Sequence, residues 1–308
     1  MNISNKKTLI VIVGPTAIGK TSLSVGLAKK YNCEIISADS RQFFKEMSIG
    51  TAKPTMEEME DVPHHFVDFI SIKERYTAGQ FEKDAIQKLG ELFQNNNLAI
   101  MVGGSGLYVN AVCNGIDEIP SDLEVRKQLN KELEEFGLAP LQEELAEVDP
   151  EIWKTINQKN PQRIVRALEV YRVTGKPYSS FRKQEPKKRD FDIVKIGLNT
   201  EREIVYDRIN RRVDLMLDAG LLEEVKSLTQ HRDLNALNTV GYKEYFSYLD
   251  DNISLEEATE LLKKNTRNFA KRQLTWFRKD KTTEWFEPSN ISGIESFISK
   301  GLEIREQL

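Results

Sequence analysis

Gly14-Pro15-Thr16-Ala17-Ile18-Gly19-Lys20-Thr21 sets two glycines, a lysine and a hydroxyl in the order G-x-x-x-x-G-K-[ST]. Glycines at this spacing let the backbone curl so that its N–H groups point inward at phosphate oxygens. The lysine adds a mobile charge, and the threonine hydroxyl can join a magnesium shell. A helix starting at about Thr21 would add its dipole to the pull on an anion. The eight residues therefore form a phosphate-binding loop, with Thr21 facing a metal and Mg2+ as the implied cofactor.

Most such loops hold ATP or GTP, and those enzymes usually end a nearby apolar strand with an acid that holds magnesium. Here the run Leu98 to Val102 ends in Gly103-Gly104-Ser105-Gly106, with no acid. The carboxylate comes instead from Asp39, after the run Glu34 to Ala38. In a parallel sheet, strand ends meet along one edge, where ligands bind. Asp39, Ser105 and the phosphate loop should therefore share one site. A diphosphate cradle, a carboxylate and a hydroxyl suit a group transfer in which a base deprotonates an acceptor while a phosphate leaves. The bland alternative for Asp39 is a cap on a following helix. A small-molecule kinase remains open, with the segment between Ser121 and Thr174 as an ATP-gripping lid.

The elements that must position these residues are legible from periodicity. Thr8 to Val13 reads as a buried strand, Thr21 to Lys30 as a helix, Glu34 to Ala38 as a second strand and Phe81 to Phe93 as a helix. Leu98 to Val102 reads as a third buried strand, and Phe191 to Leu198 resumes the sheet. This alternation predicts an α/β fold of the P-loop NTPase-like kind, a parallel sheet with flanking helices. Between Ser121 and Thr174 only amphipathic helices are expected, marked by Leu129, Leu133 and Phe136, by Leu141 and Leu145, and by Ile164, Leu168 and Tyr171. That segment predicts an inserted helical domain over 117–189, with 1–116 and 190–308 as the catalytic core. Long helices are expected at Glu201 to Ala219 and Ser254 to Lys279, and a short last strand at Thr283 to Phe286.

The 308 residues allow such a core with an insertion. Hydrophobic residues at 39% and charged residues at 30% fit a globular enzyme, and no apolar run is long enough to span a membrane. The short polar N-terminus lacks a signal-peptide core, so a cytoplasmic protein is expected. Cys33 and Cys113 form no CxxC pair and are expected to be small buried apolar residues. His64 and His65 are adjacent, which seldom lets two rings reach one ion, so a structural or substrate-contact role is expected. The net charge of −4 argues against a uniformly basic surface, but basic residues gather at 183–189, 208–212 and 263–281. Lys263, Arg267 and Lys271 recur every four residues, either as a solvated face or as a contact to phosphate backbone. Leu262, Phe269 and Phe277 on the same helix are expected in the core. Lys187-Lys188-Arg189 is expected to be a solvated loop.

Taken together, the phosphate loop, Asp39-Ser40-Arg41-Gln42, Ile49-Gly50-Thr51-Ala52-Lys53-Pro54, Pro63-His64-His65, Gly103 to Tyr108, Pro161-Gln162-Arg163 with Arg166 to Glu169, and Val240-Gly241-Tyr242 resemble the tRNA dimethylallyltransferases of the bacterial type. The resemblance runs from about Thr8 to Trp285, with the motifs in the family's order. It implies that the loop holds the diphosphate of dimethylallyl diphosphate with magnesium. It implies catalytic roles for Asp39 as general base, Lys20 and Ser105. It implies contacts to the tRNA anticodon stem-loop from Asp39, Ser40, Arg41, Gln42, Ser105, Arg126, Gln162, Arg163, Ile164, Val165, Arg166, Thr239, Val240, Gly241, Tyr242 and Lys243. A monomer with no membrane partner is expected. Ile18, Ser105 and Phe44 stand where the family more often has serine, threonine and tyrosine.

Overall fold

The computed structural model describes residues 6–182 and 185–303. In chain order the elements are β1 (Thr8–Val13), α1 (Lys20–Tyr31), β2 (Ile35–Ser37), α2 (Met56–Met59), β3 (His64–His65), α3 (Ala78–Asn95), β4 (Leu98–Gly103), α4 (Gly106–Asn114), α5 (Leu123–Phe136), α6 (Ala139–Val148), α7 (Pro150–Trp153), α8 (Pro161–Thr174), β5 (Asp192–Leu198), α9 (Arg202–Asp218), α10 (Leu221–Ser227), α11 (Lys243–Leu249), α12 (Leu255–Phe277), β6 (Glu284–Phe286) and α13 (Ile291–Glu303). The described residues of 6–113 and 188–303 form one compact unit, and those of 114–187 form another. The boundary expected at 117 and 189 thus falls at 114 and 187.

The first unit is a six-stranded sheet in the order β3-β2-β4-β1-β5-β6, with every pairing parallel. All-parallel strands must be covered on both faces, and β1 shows why its sequence is apolar throughout. Leu9, Val11 and Val13 pack with Phe81, Ala85 and Leu89 of α3, while Ile10 and Ile12 pack with Leu23 and Leu27 of α1. α3 begins three residues before the expected Phe81 because Thr77 and Gln80 form a reciprocal capping box. Ser254 and Glu257 start α12 in the same way.

Three features differ from the sequence expectation. The pair His64–His65 is a short strand on β2, so Leu98–Gly103 is the fourth strand in the chain. The chain also continues past β6 into α13, whose Ile294 and Ile298 complete the core on the α1 face. Arg189 is no solvated loop residue: its guanidinium donates to Val112 O and Ala111 O and pairs with Glu82. Its neighbours Lys183 and Gln184, part of the basic segment, lie outside the described residues. Cys33 and Cys113 are both buried thiols, as expected.

The second unit has no strand among its described residues. Leu129 of α5, Leu141 and Leu145 of α6, and Ile164 and Leu168 of α8 form its core. The buried carboxylate of Asp149 accepts from Ile152 N and Ser179 N, tying α7 to the turn after α8. No helix among the described residues is long and apolar enough to cross a membrane.

Candidate active site

The phosphate loop lies between β1 and α1. Gly14 has φ of 150° and its Cα faces Leu198 O so closely that a Cβ would sit 2.7 Å from that oxygen. Only glycine fits there. Gly19 caps α1 with φ of 104° and no side-chain hydrogen bond, so the first-turn N–H groups stay available to an anion. Ile18 is fully buried, which suits an apolar residue at this position. Lys20 Nζ donates to Pro15 O at 2.7 Å and Gly14 O at 3.1 Å, folding back over the loop. Burial pulls its ammonium down to about 8; the Asp39 carboxylate opposes the fall, and Arg212 adds to it. Arg212, legible in the sequence only as part of the basic cluster 208–212, lines the same cavity.

Asp39 follows β2 and does not cap a helix. Its Oδ1 accepts the Arg41 N–H at 3.2 Å, closing a turn. Burial raises the Asp39 carboxyl above the usual carboxylate range, and the Arg41 N–H, Lys20 and the Arg41 guanidinium only partly offset this. Ser105 faces it from the end of β4: its Oγ accepts from Ser40 N at 3.0 Å and lies 3.1 Å from Ser40 Oγ. The two glycines before Ser105 are there for close approach. A Cβ on Gly103 would lie 2.3 Å from Ala38 O, and one on Gly104 would lie 2.2 Å from Gln273 Nε2.

Gln273 is a residue that local pattern reading missed. It is buried on α12, and its Oε1 accepts the Thr16 N–H at 2.8 Å while its Nε2 donates to Gly104 O at 3.0 Å. One side chain thus fixes the phosphate loop to the loop that carries Ser105. Only the pairing of a buried amide with two distant loops identifies it, and no spacing in the sequence encodes that.

These groups line one cavity of about 950 Å³. Its polar end is the phosphate loop with Thr21, Asp39, Ser40 and Ser105, and its walls include Leu107, Leu215, Met216, Val240, Phe269 and Trp276. Phe269 is therefore no core residue: it is 37% exposed, at the cavity, whereas Leu262 and Phe277 are buried as expected. Gly106 lets the Trp276 indole close over it, since a Cβ there would lie 2.2 Å from the ring. Arg41 donates to Asn235 O at 3.0 Å and Ala236 O at 2.9 Å, and Gln42 donates to Ala52 O at 3.0 Å. His64 also lines the cavity; its Nδ1 meets Val62 O at 2.8 Å, which leaves Nε2 as a shielded acceptor without a partner. His65 pairs instead with Glu34 at 2.6 Å, so the two rings are directed to different partners.

Thr239 and Val240 line the cavity, and Lys243 is exposed. Tyr242 is fully buried and Gly241 packs against Gly50 O, so neither presents a side chain to a ligand. In the second unit Gln162 and Arg163 are exposed at the start of α8, while the side chains of Ile164 and Val165 are buried in its core. Arg126 and Arg166 both bind the buried carboxylate of Glu169, and Arg166 also donates to Pro120 O and Ile119 O. Any RNA contact from this unit therefore falls first to Gln162 and Arg163.

A metal site fits in part. No cluster of three or more His, Cys, Asp or Glu among the described residues could hold an ion alone. Magnesium, however, usually keeps several waters and takes one or two protein ligands beside substrate phosphates. The Thr21 hydroxyl and the Asp39 carboxylate, both on the phosphate-loop cavity, supply that kind of donor.

The IPP transferase family model matches residues 42–280, most of the chain. The tRNA dimethylallyltransferase of Christiangramia forsetii is 56% identical over 292 residues, covering 94% of this chain and 97% of that one. Among solved structures, the full-length tRNA isopentenylpyrophosphate transferase of Bacillus halodurans is 41% identical, with a TM-score of 0.73, covering 98% and 99% of the two chains. A eukaryotic dimethylallyltransferase acting on tRNA is 28% identical, with a TM-score of 0.78, covering 96% of this chain and 77% of that one. With a parallel sheet, a phosphate loop and a matching length, the chain belongs to the IPP transferase family, with the tRNA dimethylallyltransferases as its relatives.

Proposed function

We propose that this protein transfers a dimethylallyl group from dimethylallyl diphosphate to the N6 amino group of the adenosine 3′-adjacent to the anticodon in tRNA, releasing diphosphate. The observation that carries the reading is the pairing of Asp39 and Lys20 in one cavity that is polar at the phosphate loop and apolar along its walls.

The leaving diphosphate gains negative charge as its carbon–oxygen bond breaks. Lys20, Arg212 and the loop N–H groups supply positive charge where that charge forms. Bound magnesium would add further charge neutralisation at the diphosphate, held by Thr21 with Asp39 nearby. The allylic carbon spreads positive charge over its π system, so the walls at Leu107, Leu215, Met216 and Phe269 suit it better than water does. The adenine amine is a weak nucleophile because its lone pair is delocalised into the ring. Asp39 takes one of its protons as the new nitrogen–carbon bond forms, and general-base help of this kind is worth roughly 10²–10⁴-fold. A carboxyl raised by burial is a stronger base than an ordinary one. Ser105 and Ser40, hydrogen-bonded to each other, present hydroxyls beside it. The adenine must leave its stack to reach this depth. Ser40, Arg41, Gln42, Thr239 and Val240 border its path, with Lys243 nearby in sequence; in the helical unit, taken by itself, Gln162 and Arg163 are the exposed groups for RNA, with Arg126 and Arg166 behind them on Glu169.

The test is transfer from labelled dimethylallyl diphosphate, with magnesium, to unmodified tRNA, AMP and ATP in parallel. Label in tRNA, recovered as a prenylated adenosine, is expected. Label in AMP alone would move the protein to a free-nucleotide class, and phosphate transfer from ATP would make it a kinase.

A further inference from the structure

The phosphate loop offers its N–H groups unevenly. From Ala17 to Thr21 no backbone N–H is bonded within the described residues. Ala17 at φ of 63° and Gly19 at φ of 104° are both left-handed, and such turns aim successive N–H groups into one anion nest. The start of the loop is different. Pro15 has no N–H, and the Thr16 N–H is already held by Gln273 Oε1 at 2.8 Å. The carbonyls of Gly14 and Pro15 are held by Lys20 Nζ. The nest therefore ends before Thr16.

The Gln273 amide cannot turn over to change this. Thr16 N–H can only donate and Gly104 O can only accept, which fixes Oε1 on the first and Nε2, at 3.0 Å, on the second. The side chain is buried, so losing either bond is costly. Asp39 Oδ2 lies beside the same glycine, 3.8 Å from where a Cβ on Gly104 would sit. An anion extending from the nest toward Asp39 would meet Gln273 Oε1, the Gly104 carbonyl and the carboxylate, three oxygens of its own sign. In the transfer reading that direction belongs to the reacting carbon of the donor, because the amine that attacks it gives its proton to Asp39. The carbon gains positive charge, which these oxygens favour. A third phosphate brings negative charge, which they oppose.

We propose that Gln273 is a specificity-determining residue that confines the phosphate loop to two phosphates and rejects a third. It keeps the Thr16 N–H out of the nest and fixes an oxygen-lined wall where a triphosphate would extend. The proposal rests on the prenyl-transfer reading above and names how that site excludes nucleoside triphosphates. Most loops of this sequence hold ATP or GTP, and the exclusion sets this site apart from them without any change in the loop motif itself.

The probes are inorganic diphosphate and inorganic triphosphate, titrated calorimetrically into the full-length protein with magnesium. Wild type should bind diphosphate at least about tenfold more tightly, although triphosphate carries more charge. In Gln273→Met, which keeps the volume and removes the amide, triphosphate should gain and the preference should shrink to about twofold or less, with diphosphate affinity within a few-fold of wild type. Gln273→Glu, which adds negative charge to the wall, should widen the preference several-fold at neutral pH. If Gln273→Met does not fold, the Gln273→Glu ratio decides. A merely bracing role would lower both affinities together and leave their ratio as in wild type. That result, or a wild type with no preference, overturns the proposal. Transfer of labelled dimethylallyl to tRNA is measured alongside. Wild-type protein that transfers but shows no preference overturns the exclusion and leaves the functional reading standing. Protein that keeps the preference and transfers nothing to tRNA removes the functional reading and leaves the exclusion as a property of the site.

Discussion

The Tyr242 hydroxyl donates to Glu224 Oε1 at 2.7 Å, and the same carboxylate accepts the N–H groups of Ser48, Ile49 and Gly50 at 3.0, 2.8 and 2.9 Å. Two segments nearly two hundred residues apart in the chain are thereby joined. Gly50 lies flat against the Tyr242 ring, where a Cβ would come within 2.7 Å. The Gly-Thr-Ala-Lys-Pro segment and the late Val-Gly-Tyr segment are thus two halves of one wall, and the Thr51 and Ala52 carbonyls on it receive Gln42 beside Asp39.

Replacing Glu224 with alanine strands four donors at once. Stability should drop by about 3 kcal/mol, whereas Tyr242→Phe, which removes one donor and leaves the carboxylate otherwise satisfied, should cost about 1–2 kcal/mol. Urea unfolding of the two variants checks the ratio. A larger loss for Tyr242→Phe than for Glu224→Ala would show that ring packing, not the carboxylate, holds the wall.

Gln273 offers a sharper probe of the site because it both donates and accepts. Gln273→Glu keeps the acceptor for Thr16 N–H but faces Gly104 O with no donor unless the new carboxyl is protonated. Its activity relative to wild type should therefore recover as the pH is lowered, while Gln273→Ala should lose activity at every pH. Parallel pH profiles of kcat for the three proteins decide the matter; profiles that differ only by a constant factor would remove the bridging role.

Lys20 gives the pH dependence of donor binding. The anion favours the protonated amine, so binding raises its pKa above the ligand-free value of about 8. Affinity for dimethylallyl diphosphate should be flat below that value and fall above it, approaching tenfold per pH unit until the raised value is reached. Asp39 works on the other limb. Its carboxyl is raised by burial, so the base form and kcat should be lost on acidification sooner than an ordinary carboxylate would allow. Calorimetric titration of diphosphate between neutral and alkaline pH checks the first sign, and a kcat profile on the acid side checks the second.

In the helical unit, Glu169 has a fully buried carboxylate held by Arg126 and Arg166 and by Asp122 N at 3.0 Å. Burial alone would raise its pKa, but the two arginines hold it below the usual glutamate range. The folded value lies below the unfolded one, so its stabilisation is full above the ordinary range and is lost as the pH falls through the depressed value. Glu169→Ala should destabilise this unit by about 3–5 kcal/mol, because two cations lose their partner. Hydrogen exchange of α5 and α8 reads that change directly.

How much of this was legible in the sequence depended on how local the signal was. β1, β2, β4 and β5 fell within a residue or two of expectation because β-branched runs bounded by glycine or a polar pair admit few other readings. β3 was missed because two residues carry no periodicity. α13 was not expected although Ile291, Ile294 and Ile298 repeat at helical spacing, because so few apolar positions beyond the last strand do not by themselves show that the helix packs on the core. The phosphate loop and Asp39 were readable because strand ends in a parallel sheet share an edge. Gln273, Arg212 and Glu224 were not, because their roles come from contacts across the chain that spacing does not encode. Phe269 was misplaced for a related reason: helical periodicity separates faces, but it cannot tell a core from the wall of a cavity.

The most direct test of the account is single-turnover transfer by Asp39→Asn with enzyme in excess over tRNA. The asparagine keeps the size of the side chain and its acceptor for Arg41 N–H but cannot take a proton. The transfer rate is expected to fall by roughly 10²–10⁴-fold, without the acid limb in its pH profile, while affinity for tRNA stays within a few-fold of wild type. A rate near wild type with the acid limb intact would contradict it, and would place the base on another group in the cavity.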